Sequence, residues 1–310
     1  MQLLNEVIKL KHTKTSGSEM RLKFKLVVCI TVLFFLRAAY AAPEFSKGPG
    51  LLFLVGSSAK FLDSNKWVQI SKHKEKNNKL MIYAHGGGGL TEPDKRRVSL
   101  FKQWGFDTVS FDAFAMNDLD GTWVNRNLTD RAKQDLIMNV MRGAIEFTLN
   151  QNTYTDIVLY GQSNGAKVVI NAVNRHDPKP QIKLILSEAP PPSGNPLPFD
   201  IQTTAYLFFG EKDNWGGMSE EDLMWTRKAP FLHQPSIKEW VAQQSEKGNP
   251  VKATLYPNSG HSFHWGKLTP IARSMAGIGT ITGNLGASNE DRIQYEKDVK
   301  RIVSEIIKLD

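Results

Sequence analysis

Residues 156–166 read Asp156-Ile157-Val158-Leu159-Tyr160-Gly161-Gln162-Ser163-Asn164-Gly165-Ala166. The first five form a short run, apolar from Ile157 onward, of the kind a strand shows when helices cover both its faces. A Gly-x-Ser-x-Gly turn follows, and residues 164–174 then read as a helix. Chance alone gives roughly 0.1 occurrences of such a pentapeptide in a chain this long, so the pattern carries little by itself. Its setting carries more. A sharp strand-to-helix turn crowds the backbone around the serine, and glycines two residues to either side relieve the clash. The helix N-terminus behind Ser163 supplies a positive dipole where negative charge would develop.

Working outward, the same alternation runs through the chain. Strands are expected at 79–84, 107–111, 156–160, 182–187, 205–209 and 252–256, with two weaker ones at 51–55 and 66–71. Helices are expected at 92–104, 129–150, 164–174, 220–227, 237–246 and 289–309. In the last, Ile293, Val299, Ile302, Val303 and Ile306 recur at helical spacing between charged residues. The predicted architecture is α/β: a mostly parallel, doubly wound sheet of about eight strands with helices on both faces. Ligand sites in such sheets lie at the carboxyl ends of the strands, where every motif below falls.

After the strand at 79–84 comes His85-Gly86-Gly87-Gly88-Gly89. Such a run leaves backbone N–H groups free to face a substrate oxygen, as an acyl-transfer site requires. Gly87, or else Gly86, is the expected donor, together with the residue after the serine, Asn164. A phosphate loop is excluded, because no Gly-Lys-Ser/Thr follows. His85 is expected to fix the loop by hydrogen bonding rather than to move a proton. A serine nucleophile needs a histidine as base and a carboxylate to orient it. His261 follows the last predicted strand in Asn258-Ser259-Gly260-His261-Ser262-Phe263, with His264 as the alternative. Asp213 follows the strand at 205–209, 50 residues after Ser163 and 48 before His261, with Glu188 as the rival acid. Trp215, Asp112 and Phe114 are the expected pocket-lining residues.

The ordered segments AHGGGGLTEPDKRR, GFDTVSFDAF, GQSNGAK, LFFGEKDNWG and LYPNSGHSF resemble the dienelactone hydrolase family. The resemblance spans residues 84–263. It implies the α/β-hydrolase fold and a hydrolytic triad of Ser163, Asp213 and His261. Dienelactone hydrolases proper use a cysteine nucleophile, so Ser163 shifts the expectation from lactones to esters more generally. The His-Gly-Gly-Gly run is also similar to that of hormone-sensitive-lipase-like esterases, whose usual acid motif is missing here. The expected substrate is a small-molecule ester or lactone, and the chemistry calls for no cofactor. The readings left open are a non-catalytic binding protein on this fold, and an amidase, peptidase or polymer esterase using the same triad.

The chain has 310 residues, a formal charge of +8 and one cysteine, Cys29. The charge is unevenly placed. Arg21, Lys23 and Lys25 precede a run of 11 residues, 26–36, apolar except for Thr31, and then Ala39-Tyr40-Ala41. That is the plan of a secretory signal peptide, and the run is short for a permanent membrane span, which needs about 20 residues. Met20 is read as the initiating residue, residues 1–41 as extension plus leader, and cleavage is expected after Ala41. Removing that segment takes away seven basic and two acidic residues, leaving about +3 on the 269 residues at 42–310, read as a single domain. Nucleic acid is therefore not an expected partner, nor is stable membrane insertion. The remaining chain has no cysteine, which suits a secreted or periplasmic location and leaves serine as the nucleophile.

Two further signals are set aside. Residues 117–121 resemble part of a calcium loop, but Met116 and Asn127 stand where Asp and Glu ligands are required. Residues 215–244 have room for at most a small helical cap.

Overall fold

A computed structural model describes residues 66–73, 77–151, 153–173, 179–215, 237–275 and 279–309. The chain divides into two compact units, Met1–Gly48 and Pro49–Asp310, and every described residue belongs to the second. The expected leader, the strand at 51–55 and the helix at 220–227 lie outside the described residues.

Seven strands form one sheet: β1 (Val68–Ser71), β2 (Lys79–Ala84), β3 (Asp107–Phe111), β4 (Asp156–Gln162), β5 (Ile182–Glu188), β6 (Thr204–Gly210) and β7 (Val251–Tyr256). Their order is β1-β3-β2-β4-β5-β6-β7. Only β1 runs antiparallel, pairing Val68 with Phe111; the other pairings are parallel. Chain order reverses on either side of β2 and β4, which pair Ile82 with Leu159. The crevice at their carboxyl ends is the topological switch point of the sheet.

Side-chain alternation builds two cores from the same strands. Leu80, Ile82, Ile157 and Leu159 face one layer, with α2 (Gly121–Asn127), α3 (Asp130–Asn150), α4 (Asn164–Ala172) and α5 (Ile237–Glu246). Met81, Tyr83, Val158 and Tyr160 face the other, with α1 (Glu92–Gln103) and α6 (Asn289–Ile307). Each fully buried large apolar side chain contributes about 1.5–3 kcal/mol. The central strands are therefore apolar on both faces. Helix starts follow their caps: Thr91 and Asp94 make a capping box at α1, and Thr129 and Ser288 accept backbone N–H groups at α3 and α6.

Two features differ from expectation. Residues 269–285 form a separate antiparallel hairpin, β8 (Thr269–Met275) with β9 (Gly279–Leu285), so the strands divide into a sheet of seven and a ribbon of two among the described residues. Pro270 and scattered glycines hid its alternation. The short helix α2 begins at an Asp120-Gly121 pair that reads locally as a turn, because the Asp120 carboxylate accepts from Thr122 and Trp123 N–H and caps a helix. Most of the stretch expected to supply a small cap, residues 216–236, lies outside the described residues, and the helix expected at 237–246 is α5. Its Trp240 is buried in the sheet layer and donates to Pro198 O at 2.8 Å.

Candidate active site

Ser163 sits between β4 and α4 with φ 54° and ψ −120°, in the left-handed half of backbone space that a serine rarely adopts. The two motif glycines permit the turn. A Cβ at Gly161 would stand 2.2 Å from Gly165 O, and one at Gly165 would stand 2.2 Å from Ala84 O. The Ser163 amide donates to Glu188 O at 2.9 Å, which props the turn on the end of β5.

Three loops from three strand ends meet at this serine. His261 Nε2 lies 2.8 Å from Ser163 Oγ, and His261 Nδ1 lies 2.9 Å from Asp213 Oδ2. Asp213 is fully buried, and its Oδ1 accepts the Trp215 N–H at 2.9 Å. His261 is only 6 % exposed, and the Trp215 ring packs 5.3 Å from its imidazole. These distances are those of a nucleophile, a base and an orienting acid. The tautomer they call for has Nδ1–H donating to Asp213 and Nε2 free to accept from Ser163.

The loop after β2 closes the site from the other side. His85 lies under it: its Nε2 accepts the Ala113 N–H at 2.9 Å, so its Nδ1–H donates to Gly86 O at 2.7 Å. The histidine thus fixes the glycine run by hydrogen bonding. Gly86 and Gly87 line the pocket with Asn164. Asn164 is anchored through its side chain, with Oδ1 accepting from Gln134 Nε2 at 2.9 Å and Nδ2 donating to Asp130 Oδ1 at 3.2 Å. The Asn164 N–H is the first amide of α4 and has no acceptor within its helix.

Two of the expected pocket residues are elsewhere. The Asp112 carboxylate accepts the Leu90, Phe114 and Ala115 N–H groups, at 3.2, 3.1 and 3.0 Å. It ties the glycine loop to the turn after β3 and does not line the pocket. Phe114 is 1 % exposed and packs edge-on to His85, 4.8 Å between ring centres. Trp215 does line the pocket. The rival acid, Glu188, pairs elsewhere. It accepts Arg97 Nε at 2.7 Å, Arg97 Nη2, Tyr160 and Tyr295 hydroxyls at 3.0 and 2.9 Å, and Phe263 N–H at 3.1 Å. Burial alone would raise its carboxyl, but the Arg97 guanidinium holds it below the usual carboxylate value. Arg97 Nη2 also donates to Ser262 Oγ at 3.0 Å. This buried cluster fastens α1 and β5 to the loop that carries His261. The rival base, His264, is buried beside it with Nδ1 3.6 Å from Glu296.

Sequence reasoning did not find this clamp, nor the hairpin's part in the site. Asn284 in β9 accepts the His261 N–H on its backbone carbonyl at 2.8 Å. Its side chain donates to Lys212 O at 3.0 Å, and its N–H donates to Asn214 Oδ1 at 2.9 Å. One residue therefore links the acid loop to the histidine loop. Such partners come from distant stretches and leave no local spacing to read; the one available signal was a charged Glu188 ending an apolar strand. Among the described residues no group of three or more His, Cys, Asp or Glu is placed to hold a metal ion, and no helix is long and apolar enough to cross a membrane.

A doubly wound sheet with these loops at its switch point is the α/β-hydrolase fold. Its neighbours among solved structures include dienelactone hydrolase-like members of that fold. One is a dienelactone hydrolase-like promiscuous phosphotriesterase, P91, from metagenomic libraries: TM-score 0.54, 14 % identity, covering 75 % of this chain and 88 % of that one. Another is Est1E from Butyrivibrio proteoclasticus, solved with ferulic acid bound: TM-score 0.51, 14 % identity, covering 77 % and 94 %. At such identities the likeness is one of fold. No protein-family model and no curated protein sequence matches the chain.

Proposed function

We propose that the protein is a serine hydrolase that cleaves a carboxylic ester or lactone through an acyl-enzyme. The observation that carries this reading is the unbroken hydrogen-bonded line from Ser163 Oγ through His261 to the buried Asp213, with 2.8 and 2.9 Å links. In the first half-reaction Ser163 Oγ attacks the acyl carbon and gives its proton to His261 Nε2. Asp213 holds the imidazole and stabilises the imidazolium. The Asn164 and Gly87 N–H groups receive the oxyanion, an interaction worth about 3 kcal/mol per donor. His261 then protonates the leaving alkoxide, and water repeats the sequence on the acyl-enzyme.

Support for an ester rather than a bond requiring other machinery is that the triad, the glycine run and the pocket suffice for acyl transfer. We also infer export, on the leader-like arrangement at 20–41 and the absence of cysteine after it. A p-nitrophenyl ester series from C2 to C12 tests the hydrolase reading. Wild-type protein should turn over at least part of the series, and Ser163→Ala should lower kcat/KM by at least about a thousandfold. Equal turnover by the variant would overturn it.

A further inference from the structure

Most polar side chains in the pocket wall are already engaged. Thr91 Oγ and Tyr83 Oη both donate to Asp94, and Arg97 donates to Asp94 and to Ser262. Asp130 faces Lys133 at 3.5 Å and also accepts from Asn164. Two carboxamides stand apart. Asn125, from α2, and Gln162, at the end of β4, both line the pocket, and among the described residues neither side chain has a hydrogen-bond partner. Gln162 is 8 % exposed. Its amide is open to the cavity, where water or a substrate group can pair with it.

Their positions are informative. A Cβ at Gly86 would lie 2.3 Å from Gln162 Oε1, and one at Gly87 would lie 3.0 Å from Asn125 Oδ1. The carboxamides therefore flank the glycine run, beside the place where the acyl oxygen would sit. Each offers two donors and an acceptor and no charge. The charged groups of the wall are Asp94, bonded to Arg97, and Asp130, facing Lys133, so neither sign is in excess there. Opposite lie the rings of Trp215 and Trp265, the latter 42 % exposed at the rim. The cavity's free volume is about 90 Å³. For scale, a cavity of about 150 Å³ holds one benzene, so this one suits a compact group.

We propose that Asn125 and Gln162 are the specificity residues of this site and that they select a compact, uncharged ester bearing hydroxyl groups. The proposal rests on the hydrolase reading above. A hydroxyl can both donate to and accept from a carboxamide, whereas an alkyl group leaves the amide unpaired. The ions of the wall are already paired, Asp94 with Arg97 and Asp130 with Lys133, so a charged substrate group would be desolvated there without gaining an unpaired counter-ion.

Matched substrates test this. On the acyl side, p-nitrophenyl 3-hydroxybutyrate is compared with p-nitrophenyl butyrate; on the alcohol side, glycerol 1-acetate is compared with propyl acetate. The hydroxylated member of at least one pair should have a kcat/KM about tenfold higher, the worth of one net hydrogen bond. The ratio should fall toward one in Asn125→Leu with Gln162→Met, and each single variant should account for part of the fall. A ratio near one in both wild-type pairs would overturn the proposal, and that measurement stands even if a variant fails to fold. A ratio retained in the double variant would overturn it as well. Turnover without discrimination removes only this proposal, while no Ser163-dependent turnover of any of the four esters removes the hydrolase reading with it.

Discussion

Ser163 pays for its place with backbone strain, and the residues around it show how that strain is contained. Its φ of 54° is held by a hydrogen bond to Glu188 O on one side and by two glycines that cannot carry a Cβ on the other. The meeting of Ser163, Asp213 and His261 was legible in sequence because each lies in a short string with its own meaning: a glycine-flanked serine, an aspartate past a strand, a histidine in a loop after the last strand. Asp112 and Phe114, expected in the pocket lining, are engaged elsewhere. Asp112 is used up by three backbone N–H groups, and Phe114 covers His85. Asn125 and Gln162 were missed because a free carboxamide has no sequence signature. At this scale His264 gives a pH dependence. Burial, with Arg97 adding and Glu188 opposing, lowers its imidazole from 6.5 to about 3. The folded protein keeps it neutral where the unfolded chain protonates it. Below pH 6.5 the unfolded state thus binds the extra proton, and stability falls as pH drops toward 3, at up to about 1.4 kcal/mol per pH unit. Glu296 beside it is pushed up by burial and acts in the opposite sense, and Glu188 adds its own loss only below its ordinary value of 4.5. Urea unfolding between pH 6.5 and 5 should therefore show a shallower slope for His264→Phe than for wild type. Equal slopes would contradict the assignment.

Between elements, the site is held by two ties that cross the chain. The hairpin β8–β9 joins the Asp213 loop to the His261 loop through Asn284 and Asn214. The other tie is the Arg97–Glu188 pair, which fastens α1 and β5 to the loop after β7. The strands and helices were legible because apolar runs and capping residues announce them. The hairpin was not, since its strands are rich in glycine, threonine and small residues. The Arg97–Glu188 pair is buried, and burying one charge without its partner is expensive. Arg97→Met should lower unfolding free energy by about 3–5 kcal/mol. Adding Glu188→Gln removes the orphaned charge while keeping an acceptor for the Tyr160 and Tyr295 hydroxyls, and should recover a good part of the loss. Denaturant titration of the single and double variants measures both. A single-variant loss under about 1 kcal/mol would show that the pair is not the clamp described.

For the molecule as a whole, sheet order decides where chemistry can occur. β2 and β4 are neighbours with chain direction diverging on either side, so the glycine loop and Ser163 open into one crevice. Asp213 and His261 arrive from β6 and β7, farther along the same edge. Alternating strands and helices made this doubly wound plan readable from sequence, along with the side on which a site would lie. The occupant was not readable, because pocket walls are assembled from side chains that meet only after folding. The proposed export concerns residues 1–41 and is independent of this geometry. In the proposed mechanism, folding makes one serine out of many into a nucleophile. Labelling with an active-site fluorophosphonate, followed by peptide mapping, tests it most directly. The expected result is a single adduct on Ser163, absent from Ser163→Ala and strongly reduced in His261→Ala. No adduct, or an adduct on a different serine, would contradict it.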